Sequence, residues 1–168
     1  MILRLPALSL PALILAVLLA GCGLKPIYAG GGQGVVAQGL AAVEVAPIEG
    51  QAGWLMRNAL RDRLSTGGDV DARYRLDVVL DDRLEGLGLL TDETIGRERR
   101  TLRARYQLVD IATGRIMVDA TAGSDAGIDV VSSEYATIAA EQTALENLTR
   151  DVAQRIVTRL TVALREQT

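Results

Sequence analysis

Cys22 is the chain's one cysteine, and it follows Leu19-Ala20-Gly21 directly, at the end of a hydrophobic run. A thiol can accept a diacylglycerol as a thioether, and small residues before it let a peptidase close around the backbone. Ahead of it lie one positive charge, Arg4, and the apolar stretch Leu5 to Ala20, interrupted by Pro6 and Pro11. Sixteen residues are short for a membrane span, which needs about 20, but suit the core of a signal peptide. The order of charge, apolar core, small residues and cysteine is that of a lipoprotein signal peptide over residues 1–21, with Cys22 as the lipidation site. A second chemistry lies in Arg97, Arg99, Arg100, Arg103 and Arg105. Guanidinium is a planar, permanently charged donor that grips phosphate or carboxylate in a bidentate fashion.

Catalysis finds little support. The chain has no histidine, so a serine nucleophile lacks its usual base. Without histidine or a second cysteine, a histidine-cysteine metal site and an internal disulfide are both excluded, and no metal or cofactor is expected. Asp81-Asp82 and Asp92-Glu93 fall in expected turns and read as solvated loop ends. Gly30-Gly31-Gly32 lacks the strand, helix and Lys-Ser/Thr of a phosphate loop. Beyond residue 21 there are 17 basic residues against 21 acidic ones, and every basic residue except Lys25 is arginine. That balance argues against nucleic-acid binding, which calls for a basic domain.

Residues 22–39 carry the cysteine and a Gly-rich stretch, six glycines in the 17 positions after it, and read as a tether with an r.m.s. span of roughly 20–25 Å. Within it Leu24 to Tyr28 is apolar, and Pro26 holds its predecessor extended. Two readings are open for this segment: a seat for the anchor at the membrane surface, or a strip that docks on a partner. Residues 40–168 are long enough for one domain with a core. Phe is absent and Trp54 is the one tryptophan, so that core rests on Leu, Val, Ile and Ala. Trp54 itself reads as a core or interface plug.

Period two predicts strands over 40–48, 72–82, 94–109 and 115–122. The apolar faces are Tyr74, Leu76, Val78 and Leu80, then Leu102, Ala104, Tyr106 and Leu108, then Ile116, Val118 and Ala120. Loops are expected around Gly86 and Gly88 and over 123–131, and a turn at Asp110–Arg115 with Gly114 at positive φ. Period 3.6 predicts helices over 52–64 and 134–165, the second capped by Ser132 or Ser133. Its apolar stripe runs through Tyr135, Ile138, Ala139, Leu145, Leu148, Val152, Ile156, Leu160 and Ala163. At roughly 48 Å it is longer than a compact domain of this size needs, so it either curves along the sheet or its end protrudes. The sum is an α+β fold of β-α-β-β-β-α order, a four-stranded mixed sheet with two helices on one face. The other face is charged. Period two sends Arg97, Arg99, Arg103 and Arg105 outward together, with Arg73 and Arg75 on the same side of the neighbouring strand. Asp119 is the expected cross-strand partner of Arg105. The alternatives for this stripe are a solvated face and a site for anionic lipid.

Cys22-Gly23-Leu24-Lys25-Pro26-Ile27-Tyr28 followed by glycines resembles the mature start of lipopolysaccharide-assembly lipoproteins of the LptE family. The resemblance extends along most of the chain and includes the helix opening Ser132-Ser133-Glu134-Tyr135-Ala136. It implies a lipid-anchored protein at the periplasmic face of the outer membrane. Its partner there would be the β-barrel LptD, which it would plug and help to assemble without enzymatic activity. Lipid A carries phosphates, so the outward arginines Arg97, Arg99, Arg103 and Arg105 are the candidate lipopolysaccharide contacts. A different class stays open, an auxiliary lipoprotein of a phospholipid ABC transport system.

Overall fold

The computed structural model describes residues 35–65, 70–89 and 95–166. The elements in order are α1 (Val35–Ala41), β1 (Val43–Val45), α2 (Gly50–Leu64), β2 (Tyr74–Leu89), β3 (Ile95–Asp110), β4 (Ile116–Asp129) and α3 (Glu134–Arg165). Strand order in the sheet is β1-β2-β3-β4. β1 pairs parallel with β2, Val43 opposite Tyr74, which requires the α2 crossover; β2, β3 and β4 form an antiparallel meander. This is the expected α+β mixed sheet, with one helix more. α1 lies partly in the stretch read as tether, and its packing on α2, α3 and β1 buries Leu40.

The strands are longer than their alternation suggests. β2 and β4 continue through Gly86, Gly88, Gly123 and Gly127, where loops were expected. Glycine is a poor strand former, but the ladders to β3, which continue to Leu89 on β2 and to Asp129 on β4, override that weak preference. The same ladder disposes of the oversized helix. β4 has 14 residues, roughly 46 Å of strand, and the 32 residues of α3 rise roughly 48 Å. Helix and hairpin match in length, and α3 packs on both β4 and β3.

The core lies between the sheet and the helices. Leu76, Leu102, Ala104 and Leu108 on the sheet and Met56, Leu60, Val152, Ile156 and Leu160 on the helices are fully enclosed. The stripe of α3 holds from Leu145 onward. Its first three members do not join it, since Tyr135 is 84% and Ile138 55% exposed and Ala139 is exposed as well. α2 runs alongside α3 only from about Gln142, where Gln51 Nε2 donates to Gln142 Oε1 at 2.9 Å. Among the described residues the turns of α3 before that point have no helical neighbour. Ile116, read as buried, is exposed on the outer face, because the register shift after Leu108 pairs Val109 with Ile116 and leaves Met117 as the extra residue.

The caps follow local chemistry. Ser133, rather than Ser132, closes α3 by accepting from Ala136 N, and Glu134 in the first turn suits the helix dipole. The β3–β4 turn is built on Asp110, whose Oδ1 accepts from Thr113 N and Thr113 Oγ1, both at 2.9 Å. Gly114 there has φ +70°, the left-handed conformation that glycine adopts without a Cβ clash.

Candidate functional site: an arginine strand between two acidic strands

The outer face of β3 presents Arg97, Arg99, Arg103 and Arg105 together, all exposed, as the two-residue period requires. Arg75 on β2 is exposed on the same side, and Arg73 just before that strand is exposed too. Arg100, between them in sequence, faces the helices. It forks onto Asp82 at 2.6 and 2.9 Å and donates to the Glu141 carbonyl at 3.1 Å, tying β2, β3 and α3 together. The hydrogen bond to Asp82 raises its pKa above the ordinary arginine value. On the same inner face, Glu98 keeps one buried carboxylate oxygen, Oε2, without a hydrogen-bond partner among the described residues.

The register decides which outer arginines are neutralised. β2 contributes Asp77, Asp81 and Glu85 to this face and β4 contributes Asp119, Asp125 and Asp129, so an arginine strand lies between two acidic ones. Arg105 bonds Asp119 at 3.2 Å, as expected. Asp119 also accepts from Gln107 Nε2 at 2.9 Å, and these two hydrogen bonds, Gln107 first, hold its carboxyl below the ordinary aspartate value. Asp119 is not the stripe's one counter-charge, since Arg97 pairs with Asp129 at 3.1 Å. Asp81 stands opposite Arg103 but is occupied by Arg83 at 2.9 Å, just as Asp77 is occupied by Arg75. Among the described residues Arg99 and Arg103 therefore have no carboxylate in contact.

Both unneutralised arginines stand opposite a glycine of β4, Arg99 opposite Gly127 and Arg103 opposite Gly123. A Cβ on Gly123 would strike the Arg103 side chain, so that side chain lies flat across the neighbouring strand. No sequence signal marks Gly123 as a seat for Arg103; only the register juxtaposes them. Trp54, read as a core or interface plug, is not in the core. It is 65% exposed on α2. Cys22 and the segment Leu24–Tyr28 lie outside the described residues. Among the described residues no cluster of metal-ligating side chains occurs, and no helix is long and apolar enough to cross a membrane.

A four-stranded mixed sheet covered by helices on one face, with a charged lattice on the other, defines a two-layer α+β fold. A lipoprotein of Caulobacter crescentus is similar over 80% of this chain and 98% of its own, at 25% identity and a TM-score of 0.65. The minor lipoprotein of Acinetobacter baumannii (17% identity, 73% and 92% covered, TM-score 0.58) shares the fold. So does rare lipoprotein B of Shewanella oneidensis (13%, 74% and 96%, 0.54). A comparison with curated proteins finds no match. The model of the LptE lipopolysaccharide-assembly family matches residues 40–160, and the chain belongs to that family.

Proposed function

We propose that this protein is a non-enzymatic, lipid-anchored subunit of the lipopolysaccharide translocon, held by Cys22 at the periplasmic side of the outer membrane. There it occupies and helps to assemble the β-barrel LptD. The observation that carries this reading is the family match over 121 residues, which spans every strand and most of α3. The signal-peptide pattern ending at Cys22 supports the anchor, and several acyl chains together give stable attachment where one does not.

The outer face supports a role in lipid contact. Arg99 and Arg103 offer guanidinium groups with no carboxylate in contact among the described residues, and Arg97 and Arg105 flank them, each sharing its charge with one exposed carboxylate. A phosphate-bearing headgroup fits a guanidinium better than water does, because two parallel charge-assisted bonds form at once. Lipid A phosphates bind at Arg97, Arg99, Arg103 and Arg105 in this reading.

The test is detergent extraction of the tagged protein from its own membrane followed by affinity purification. Stoichiometric recovery of a large β-barrel is expected. Recovery of an inner-membrane transport complex, or of no partner, would replace the barrel reading with a phospholipid-transport role.

A further inference from the structure

The outer edge of β1 carries an inference that the family match does not. β1 is the first strand of the sheet, so among the described residues one of its edges has no neighbouring strand. The carbonyl of Ala42 and the N–H of Ala46 bond to β2. In a parallel ladder successive residues alternate direction, so the N–H and C=O of Val43 and Val45 point to the open side. Arg57 Nε reaches the Val45 carbonyl at 3.4 Å. No described residue bonds the two N–H groups or the Val43 carbonyl, yet Val43 is 7% and Val45 2% exposed. Buried backbone donors of this kind are almost always paired. Beside them runs an open groove of about 360 Å³, lined by Ala41, Val43, Val45, Leu64 and Val70, with Glu44 and Arg61 at its rim.

We infer that this groove is filled by the chain's own segment Leu24-Lys25-Pro26-Ile27-Tyr28, laid along β1 as a fifth, edge strand. Three observations select this occupant. Position comes first: the described fold begins at Val35, and Ala41, which ends α1, already lines the groove. The six residues Ala29–Gly34 between segment and helix reach up to roughly 20 Å, ample to return along a helix about 10 Å long. The second is pairing: when Lys25 and Ile27 turn their backbone toward β1, Pro26 turns its missing N–H to the open side. A proline is tolerated there, and it also blocks further strand addition. The third is side-chain chemistry: Leu24, Pro26 and Tyr28 then share the face toward Leu64 and Val70, while Lys25 lies on the outer side with exposed Glu44. Docked this way, Cys22 is two residues from the sheet instead of at the end of a 13-residue tether. The anchor then sets the height and orientation of the domain above the membrane.

Amide hydrogen exchange on the mature, acylated full-length protein in detergent tests this, comparing wild type with L24S/I27S/Y28S. In wild type the amides of Lys25, Ile27, Val43 and Val45 are expected to exchange at least tenfold more slowly than unstructured amides. In the variant all four should speed up at least tenfold, while those of Leu102 to Tyr106 stay unchanged and show that the domain is folded. Protection of Val43 and Val45 in both proteins would mean that something else closes the groove. Protection in neither would mean an open edge. Either result, or unprotected Lys25 and Ile27 in wild type, overturns the inference.

Discussion

Arg103 and Arg105 sit two residues apart on one face of β3 and have different surroundings. Arg105 is held by Asp119, whereas Arg103 lies across Gly123 with no carboxylate in contact. Reversing both charges in R103E/R105E is expected to abolish binding of purified lipopolysaccharide while barrel copurification persists. Arg75→Glu, whose guanidinium is already forked onto Asp77, should change binding far less. Exposed substitutions of this kind move stability by about 0.5 kcal/mol or less, so the melting temperature separates a binding defect from unfolding. Gly123→Ala is the finer probe. It displaces the end of Arg103 without removing charge, so lipopolysaccharide binding should weaken partially while stability holds. Asp110 supplies a residue-scale prediction about acid. The hydroxyl and backbone N–H of Thr113, with Arg73 at 3.8 Å as a weaker contributor, hold its carboxyl below the ordinary value near 3.8. A depressed folded-state pKa means that the charged form is favoured by folding. Its stabilisation is complete above the unfolded-state value and is lost as pH falls through the lower folded one. Asp110→Ala should therefore lower the melting temperature by a few degrees at pH 7, and the gap to wild type should close below about pH 3.8.

At the scale of elements, α3 shows how a helical period is read correctly and still misplaces residues. Ile156 and Ile138 both belong to its apolar stripe, but Ile156 is fully enclosed and Ile138 is 55% exposed. Ile156→Ala should cost about 2–5 kcal/mol through lost burial and an unfilled cavity. Ile138→Ala should stay within about 0.5 kcal/mol. Urea titration of the two variants measures the contrast, and equal losses would place the start of α3 against a neighbour within the domain. Strand length is the complementary case. Alternation in β4 ends near Ala122, where glycine and small polar residues begin, and the strand nevertheless runs to Asp129 because β3 continues to offer partners. A ladder is a property of two strands, so its end is not written in either one alone.

For the molecule as a whole, the sheet and its helices enclose one core, with α1 closing the end at which the described chain begins. A chain starting at Val35 is expected to be soluble and to unfold cooperatively. One starting at Ala42 loses the burial of Leu40, roughly 1.5–3 kcal/mol, and should show a lower urea midpoint with the same fold by circular dichroism. A disordered chain from Val35 would mean that folding depends on a partner. The sequence by itself determined the α+β class, the parallel crossover followed by a meander, both main helices nearly to the residue, and the shared outward face of Arg97, Arg99, Arg103 and Arg105. These are consequences of side-chain period and turn chemistry, which are local. Of the counter-charges only Asp119 beside Arg105 was legible; Asp129, 32 positions from Arg97, and the loss of Asp81 from Arg103 to Arg83 were not. The exposure of Ile116, Tyr135, Ile138 and Trp54 and the seat of Arg103 on Gly123 were equally hidden. Each depends on register or on which neighbour reaches a given turn, and only tertiary structure decides distances between residues far apart in the chain.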